Sequence, residues 1–197
     1  MDVLEVKRWL KELIPIAIVL ALVTAARSSL ADHYWVPSGS MEYSLEPGDH
    51  VFIDKTAYGV RIPLTKIDLF GARTPTPGEI AVFYSPRDGV RLIKRIVAVG
   101  GDVVSLKDGQ LSVNGHRLGD RELEWFGARR ALLNLDNGGG PDIDSEVIPP
   151  GMVLALGDHR GNSLDGRAWG LISEHELYGR AVAIFYRSGE GFTWKPL

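Results

Sequence analysis

Residues 90–99 read VRLIKRIVAV, a run of mostly apolar residues that predicts a β-strand. Successive side chains of a strand point to opposite faces, so Lys94 is the only charged residue on its face. Burial disfavours the charged form of an amine and lowers a lysine pKa by up to ~3–5 units, which would make Lys94 a usable base near neutral pH. The alternative is a lysine at the sheet edge whose amine reaches water, and the strand alone leaves both readings open.

The chain after residue 35 alternates short apolar runs with glycine and proline, which predicts a mainly β fold. The other predicted strands are residues 51–53, 79–84, 103–106, 111–113, 152–156 and 181–186. Asp108-Gly109 and Asn114-Gly115 predict tight hairpin turns, because these residues accept a positive φ. Residues 173–177 predict a single helical turn. Residues 120–150 are rich in charge and glycine and predict a small, partly mobile lobe or a long loop.

The amino terminus carries an uncharged run, LIPIAIVLALVTAA at residues 13–26, preceded by Lys7, Arg8 and Lys11. At ~1.5 Å per residue the run spans about 21 Å, so flanking residues would be needed to cross a ~30 Å hydrocarbon core. A buried core helix, a cleaved signal peptide ending near Ala26 and a retained membrane anchor are the alternatives. The preceding positive charges predict that the amino-terminal end stays in the cytoplasm.

The amino-acid composition excludes several classes of function. The chain has 197 residues, which is enough for one domain with a core, and its net charge of −3 gives no electrostatic footprint for nucleic acid. It contains no cysteine, so disulfides, thiolate nucleophiles and cysteine-based zinc sites are excluded. The five histidines show no metal-binding spacing, and we predict neither a metal nor another cofactor.

Two further segments contain polar residues that could take part in catalysis or in ligand binding. Residues 37–41 read PSGSM, in which Gly39 permits a backbone that exposes Ser40, although a serine-rich segment is more often only a turn. Residues 157–167 read GDHRGNSLDGR and predict a loop held by internal ion pairs. A solvated surface loop, or a metal or phosphate site built on its acidic residues and histidine, are the alternatives for the second segment.

Together these segments resemble the signature boxes of the type I signal peptidases, a family of membrane-bound Ser-Lys serine proteases. The matching boxes, in the family's order, also include LEPGD at 45–49, PGEIAVF at 77–83, KRIV at 94–97 and GGD at 100–102. The resemblance implies a signal-peptidase-like complex β fold, a large antiparallel core with a smaller inserted lobe at residues 120–150, preceded by one transmembrane helix. It divides the chain into residues 1–34, the cytoplasmic tip, anchor and linker, and residues 35–197, an extracytoplasmic peptidase domain.

The resemblance also implies the roles of individual residues. Ser40 would be the nucleophile and Lys94 its general base, and Ser38 with the backbone N–H of Ser40 would form the oxyanion hole. The substrates would be secretory precursor proteins, cut after small residues of an Ala-x-Ala pattern at the outer face of the bacterial inner membrane. The remaining partner would be membrane lipid, with no role for nucleic acid.

Four residues of the 157–167 segment would support this site. Ser163 would hydrogen-bond the Lys94 amine, Asp165 and Arg167 would form a bracing ion pair, and Asp158 would support the same loop. The chain departs from the family pattern at residues 41–45, which read MEYSL in place of Met-x-Pro-Thr-Leu. It also has His159 in place of asparagine and Gly166 in place of serine, which affects substrate contacts and rigidity rather than the proposed reaction.

Four other functions are alternatives to a signal peptidase. A self-cleaving Ser-Lys repressor of related fold would carry a DNA-binding domain where this chain has its apolar segment. A specialised Ser-Lys peptidase of a conjugation or pilus system would have much the same sequence features. A non-catalytic membrane-tethered β-domain predicts that Ser40→Ala and Lys94→Ala leave function intact, and a metallophosphoesterase predicts inhibition by chelators.

Overall fold

The computed structural model describes residues 9, 11–20, 23–24, 30–61, 68–70 and 73–197. Residues 9, 11–20 and 23–24 are helical, whereas residues 21–22 and 25–26 of the apolar run lie outside the described residues. Within the described ranges, none of the helices has the length and hydropathy needed to span a bilayer. The predicted anchor therefore stays a prediction.

The described residues form a mainly β structure, which agrees with the predicted class. Its strands are β1 (Ala31–Trp35), β2 (His50–Asp54), β3 (Val60–Arg61), β4 (Asp68–Phe70), β5 (Ile80–Tyr84), β6 (Arg91–Val99), β7 (Val103–Lys107), β8 (Gln110–Val113), β9 (His116–Arg117), β10 (Leu123–Phe126), β11 (Arg129–Leu132), β12 (Ile143–Val147), β13 (Met152–Leu156), β14 (Ile172–Ser173), β15 (Leu177–Arg187) and β16 (Gly191–Pro196). Short 3₁₀ turns span Gly39–Met41, Arg160–Asn162 and Glu174–Glu176, and a one-turn α-helix spans Gly166–Trp169.

The main sheet has the strand order β1-β2-β15-β5-β6-β13-β14, and β16 pairs with β15 at its side. All of these pairings are antiparallel. Strand β6 is paired along both edges, and its side chains enter three apolar clusters through Ile93, Ile96 and Val97. This explains its near-continuous apolar sequence, which is typical of a strand covered on both faces. The reading of Lys94 as a lysine at the sheet edge is therefore wrong.

The predicted hairpin turns are confirmed by their backbone angles. Asp108 and Gly109, between β7 and β8, have φ of 49° and 78°. Asn114 and Gly115, between β8 and β9, have φ of 54° and 78°. Two consecutive positive φ values match the right-handed twist of the flanking strands, which is why Asp-Gly and Asn-Gly favour this turn.

The inserted lobe is a folded unit and larger than the predicted residues 120–150. Its main sheet has the order β12-β7-β8-β9, so the lobe begins at β7, and β10 and β11 form a separate hairpin. Arg160 ties this lobe to the main sheet, because its guanidinium donates to both Glu124 carboxylate oxygens at 2.9 and 2.5 Å and also to the Gly109 carbonyl.

Two strands at the edges of the sheet were missed from the sequence. Strand β1 crosses the predicted domain boundary between residues 34 and 35, and β16 follows the last predicted strand. Both expose large aromatic side chains, among them Trp35, Phe192 and Trp194, instead of the buried apolar run that marks a core strand.

Candidate active site

The 3₁₀ turn Gly39–Met41 carries Ser40 at the end of the segment that follows β1. The Glu42 N–H closes the turn on the Gly39 carbonyl at 3.1 Å, and the Leu45 N–H donates to the Met41 carbonyl at 2.8 Å. Met41 and Leu45 are fully buried in the cluster that also contains Ile93 of β6. Burial of each side chain stabilises the fold by about 1.5–3 kcal/mol, so the turn is fixed to the strand that carries Lys94.

Lys94 projects from β6 towards this turn. Its Nζ lies 2.6 Å from the Ser40 Oγ, and only 4% of Lys94 and 7% of Ser40 are exposed. Burial lowers the pKa of Lys94 from 10.5 to about 8, against the opposing effect of the Asp165 and Asp158 carboxylates. At pH 8 about half of the amine is therefore neutral, compared with about 0.3% for an ordinary lysine. The two predicted catalytic residues thus meet in a geometry suited to proton transfer.

Ser38 precedes the turn in an extended conformation, with φ of −146° and ψ of 161°. Its side chain is exposed and does not cap the 3₁₀ turn. The Ser38 side chain is therefore accessible to solvent two residues before Ser40.

Asp158 and Arg95 form a buried ion pair behind the nucleophile turn. Arg95 donates from Nε to Asp158 Oδ1 at 2.9 Å and from Nη2 to Oδ2 at 2.7 Å. The Ser44 hydroxyl donates to the same carboxylate at 2.6 Å and accepts from Arg95 Nη2 at 2.9 Å. A bidentate pair of this kind fixes both orientation and distance, so β6, the turn and the 157–167 loop are held together.

Asp165 and Arg167 form the predicted internal ion pair. Arg167 donates from Nε to Asp165 Oδ1 at 2.8 Å and from Nη2 to Oδ2 at 2.7 Å, and the Gly157 N–H donates to Oδ2 at 2.9 Å. Burial alone would raise the pKa of Asp165, but these hydrogen bonds and the Arg167 charge lower it overall. Asp165 also caps the one-turn helix Gly166–Trp169.

Ser163 lies against the nucleophile turn without the predicted hydrogen bond. Its buried Oγ makes no hydrogen bond to Lys94, and its side chain lies close enough to Asp165 to help lower the pKa of that carboxyl. A Cβ on Gly157 would lie 2.2 Å from the Ser163 Oγ and 2.5 Å from the Ser40 carbonyl oxygen. Gly157 therefore allows this loop to approach the nucleophile, and the orienting role of Ser163 stays a prediction.

The acidic residues and histidine of the loop do not converge on a common point. Asp158 binds Arg95, Asp165 binds Arg167, and His159 Nδ1 lies 2.8 Å from Glu42 Oε2. Among the described residues no group of three metal-binding side chains is found. Each of the three side chains therefore has its own partner, and the partners differ.

Sequence reasoning missed three residues of this region: Ser44, Arg95 and Glu42. Arg95 was recognised only as part of the KRIV box, and its burial and its ion pair with Asp158 were not predicted. His159 was noted as a departure from the family pattern, but its contact with Glu42, which occupies the variable position of the Met-x-Pro-Thr-Leu box, was not predicted. The sequence offered one signal for this contact: a carboxylate, Glu42, and an imidazole, His159, lie on two segments that were predicted to meet at the nucleophile.

Comparison with known proteins identifies similar sequences over most of the chain. The family model for signal peptidase, peptidase S26, matches residues 6–186. Signal peptidase I of Pseudomonas fluorescens is 32% identical over 195 residues, covering 85% of this chain and 69% of that protein. Signal peptidase I of Pseudomonas aeruginosa is 30% identical over 196 residues, with the same coverage of 85% and 69%. A crystal structure of a signal peptidase I from Enterococcus faecalis gives a TM-score of 0.43 at 26% identity, covering 55% of this chain and 97% of that one.

Proposed function

The chain belongs to the peptidase S26 family of signal peptidases, and on that premise we propose that Ser40 is the nucleophile and Lys94 the general base of this serine endopeptidase. The observation that carries the proposal is the 2.6 Å contact between Lys94 Nζ and Ser40 Oγ in a water-poor environment. A hydroxyl beside a partly neutral amine is an activated nucleophile, and it needs no histidine.

The reaction is an acyl transfer in two halves. Neutral Lys94 takes the Ser40 proton as Oγ attacks the carbonyl at the cleavage site, and the resulting ammonium returns that proton to the leaving amine. Water then attacks the acyl-enzyme with Lys94 again acting as base. The Ser38 hydroxyl and the Ser40 backbone N–H stabilise the oxyanion, which is consistent with the exposed Ser38 side chain.

The other predicted residues support the dyad without touching the reacting atoms. Asp158 and the Asp165–Arg167 pair hold the 157–167 loop against the turn through the ion pairs described above. Their carboxylates also limit how far burial lowers the pKa of Lys94. Ser163 lies in the same loop beside the nucleophile turn, and its predicted hydrogen bond to the Lys94 amine is absent from this structure.

The substrates are precursors with small residues at the first and third positions before the cut. A shallow apolar pocket rejects larger side chains by steric clash, and this would produce the Ala-x-Ala preference. The domain of residues 35–197 acts on the extracytoplasmic side, and residues 13–26 within the segment 1–34 form the anchor in the bacterial inner membrane.

An aromatic face supports contact of the enzyme with membrane lipid. Trp35, Phe52, Phe192 and Trp194 are exposed by 56%, 37%, 88% and 61%, and the rings of Phe52 and Trp194 lie 6.2 Å apart. Trp35 begins the segment that leads to Ser40. Aromatic side chains favour the membrane–water interface, so this face would hold the site near emerging precursors.

Cleavage of a precursor with an Ala-x-Ala site tests the dyad. We expect wild type to cut it with or without chelator, and Ser40→Ala and Lys94→Ala to be inactive. Cleavage by both variants would show that the dyad is assigned to the wrong residues. No cleavage by wild type would point instead to a dedicated precursor or to a binding role.

A further inference from the structure

His159 contacts the nucleophile turn at two points. Its backbone N–H donates to the Ser40 carbonyl at 3.1 Å, and its Nδ1 lies 2.8 Å from Glu42 Oε2. Glu42 is also the residue whose N–H closes the turn on Gly39. One side of the turn is thus attached to His159 through the nucleophile's own carbonyl, and the other through Glu42.

The surrounding groups fix the orientation of the His159 ring. The Asn137 side-chain amide nitrogen lies 3.4 Å from Nε2, and an amide nitrogen can only donate. A hydrogen bond from Asn137 to Nε2 is compatible with a ring that donates from Nδ1 to Glu42. Asn134 donates a second hydrogen bond to the same Glu42 oxygen at 3.3 Å. Both asparagines belong to the inserted lobe, so the lobe supports the ring and the carboxylate from behind.

The second oxygen of Glu42 fills the space beside Gly39. A Cβ at position 39 would lie 2.2 Å from Glu42 Oε1. The absence of a side chain on Gly39 therefore permits the carboxylate to lie along the turn within reach of His159. Gly39, Glu42 and His159 therefore pack together beside Ser40, although His159 is distant in the sequence.

We propose that Glu42 and His159 are positioning residues that hold Ser40 at the distance required for proton transfer to Lys94. The inference rests on the proposed dyad and adds two residues that support the position of its nucleophile. Neither side chain contacts the Lys94 amine, so the pair acts through the geometry of the turn. A displacement of about 1 Å in reacting groups lowers turnover by as much as about 100-fold, so even partial loosening of the turn is measurable.

Two matched substitutions of His159 test whether the hydrogen bond to Glu42 matters or only the presence of the imidazole ring. The Asn side-chain nitrogen of His159→Asn takes the place of Nδ1 and keeps a donor for Glu42. The longer amide of His159→Gln reaches the place of Nε2 instead and loses that bond. We expect His159→Gln and Glu42→Ala each to lower kcat about tenfold with unchanged KM, and the double variant to be no worse than either single one. His159→Asn stays within about twofold of wild type, as does His116→Gln, a control at an exposed histidine of β9.

Thermal unfolding and near-UV circular dichroism of each variant establish the folded fraction, and kcat is expressed per folded molecule. The proposal is overturned if kcat per folded molecule is unchanged in His159→Gln and Glu42→Ala, if His159→Asn is as slow as His159→Gln, or if the two losses multiply. Ser40→Ala is assayed beside them. Its full activity would contradict the dyad itself, whereas an inactive Ser40→Ala with fully active His159→Gln contradicts only the positioning role.

Discussion

Lowering the pH from 8 to 6 should remove nearly all signal-peptide cleavage by protonating Lys94. The active form of the base is the neutral amine, and burial sets its pKa at about 8 in the folded protein. The neutral fraction is then about one half at pH 8 and about one hundredth at pH 6, which predicts a roughly 50-fold fall in kcat/KM. Above pH 9 the rate should reach a plateau, because the amine is almost fully deprotonated.

The assay is kcat/KM for a synthetic precursor peptide whose side chains do not titrate between pH 5.5 and 10. This ratio reports the ionisation of the free enzyme. Thermal unfolding at each pH provides the control that the enzyme stays folded across the range. A rate that keeps rising tenfold per pH unit up to pH 10 would mean that Lys94 has an ordinary pKa near 10.5 and is not desolvated. A flat profile from pH 6 to 8 would remove Lys94 as the base.

Three further substitutions test the packing around the dyad. Arg95→Met should lower the free energy of unfolding by about 3–5 kcal/mol in urea denaturation, because it leaves the Asp158 charge buried and unpaired, and Arg95→Met/Asp158→Leu should recover much of the loss. Gly39→Ala should displace the Glu42 carboxylate and lower kcat as much as Glu42→Ala, with no further loss in the double variant; a multiplicative loss would contradict the contact. Lys94→Met should abolish cleavage and raise the free energy of unfolding at pH 7 by up to about 3 kcal/mol, because the folded protein holds this amine at a pKa of about 8 against 10.5 when unfolded. This gain should shrink as the pH rises from 8 to 10.5, and a gain independent of pH would show that the amine is not its source.

The central strands could be predicted from sequence because a buried strand consists mostly of apolar residues. β6 is mostly apolar and is buried on both faces, and the Asp-Gly and Asn-Gly turns require positive φ values that few residues accept. The sequences of β1 and β16 contain no such buried run, since their large aromatic side chains are exposed. Strands β10, β11 and β12 are short and carry charged residues, so residues 120–150 were predicted only as a small lobe or a long loop.

The site was predictable at the level of residue types and not at the level of contacts. The resemblance to signal peptidases pointed to Ser40 and Lys94, but the depth of burial that sets the pKa of Lys94 depends on the packing of both neighbouring strands. The Glu42–His159 contact joins residues 117 positions apart, and no local pattern relates them. Ser163 shows the converse, because it lies beside the nucleophile turn as predicted, but its Oγ makes no hydrogen bond to Lys94.

The sheet order has a consequence for when the enzyme becomes active during synthesis. β15 lies between β2, on the nucleophile side, and β5, which pairs with the β6 strand that carries the base. β15 begins at residue 177, so a ribosome-bound chain of about 170 residues already contains Ser40 and Lys94 but not the strand that joins their two halves. Folding dominated by such distant contacts is slow, and the two halves of the sheet meet late. We therefore expect the site to be completed only after β15 has joined the two halves of the sheet.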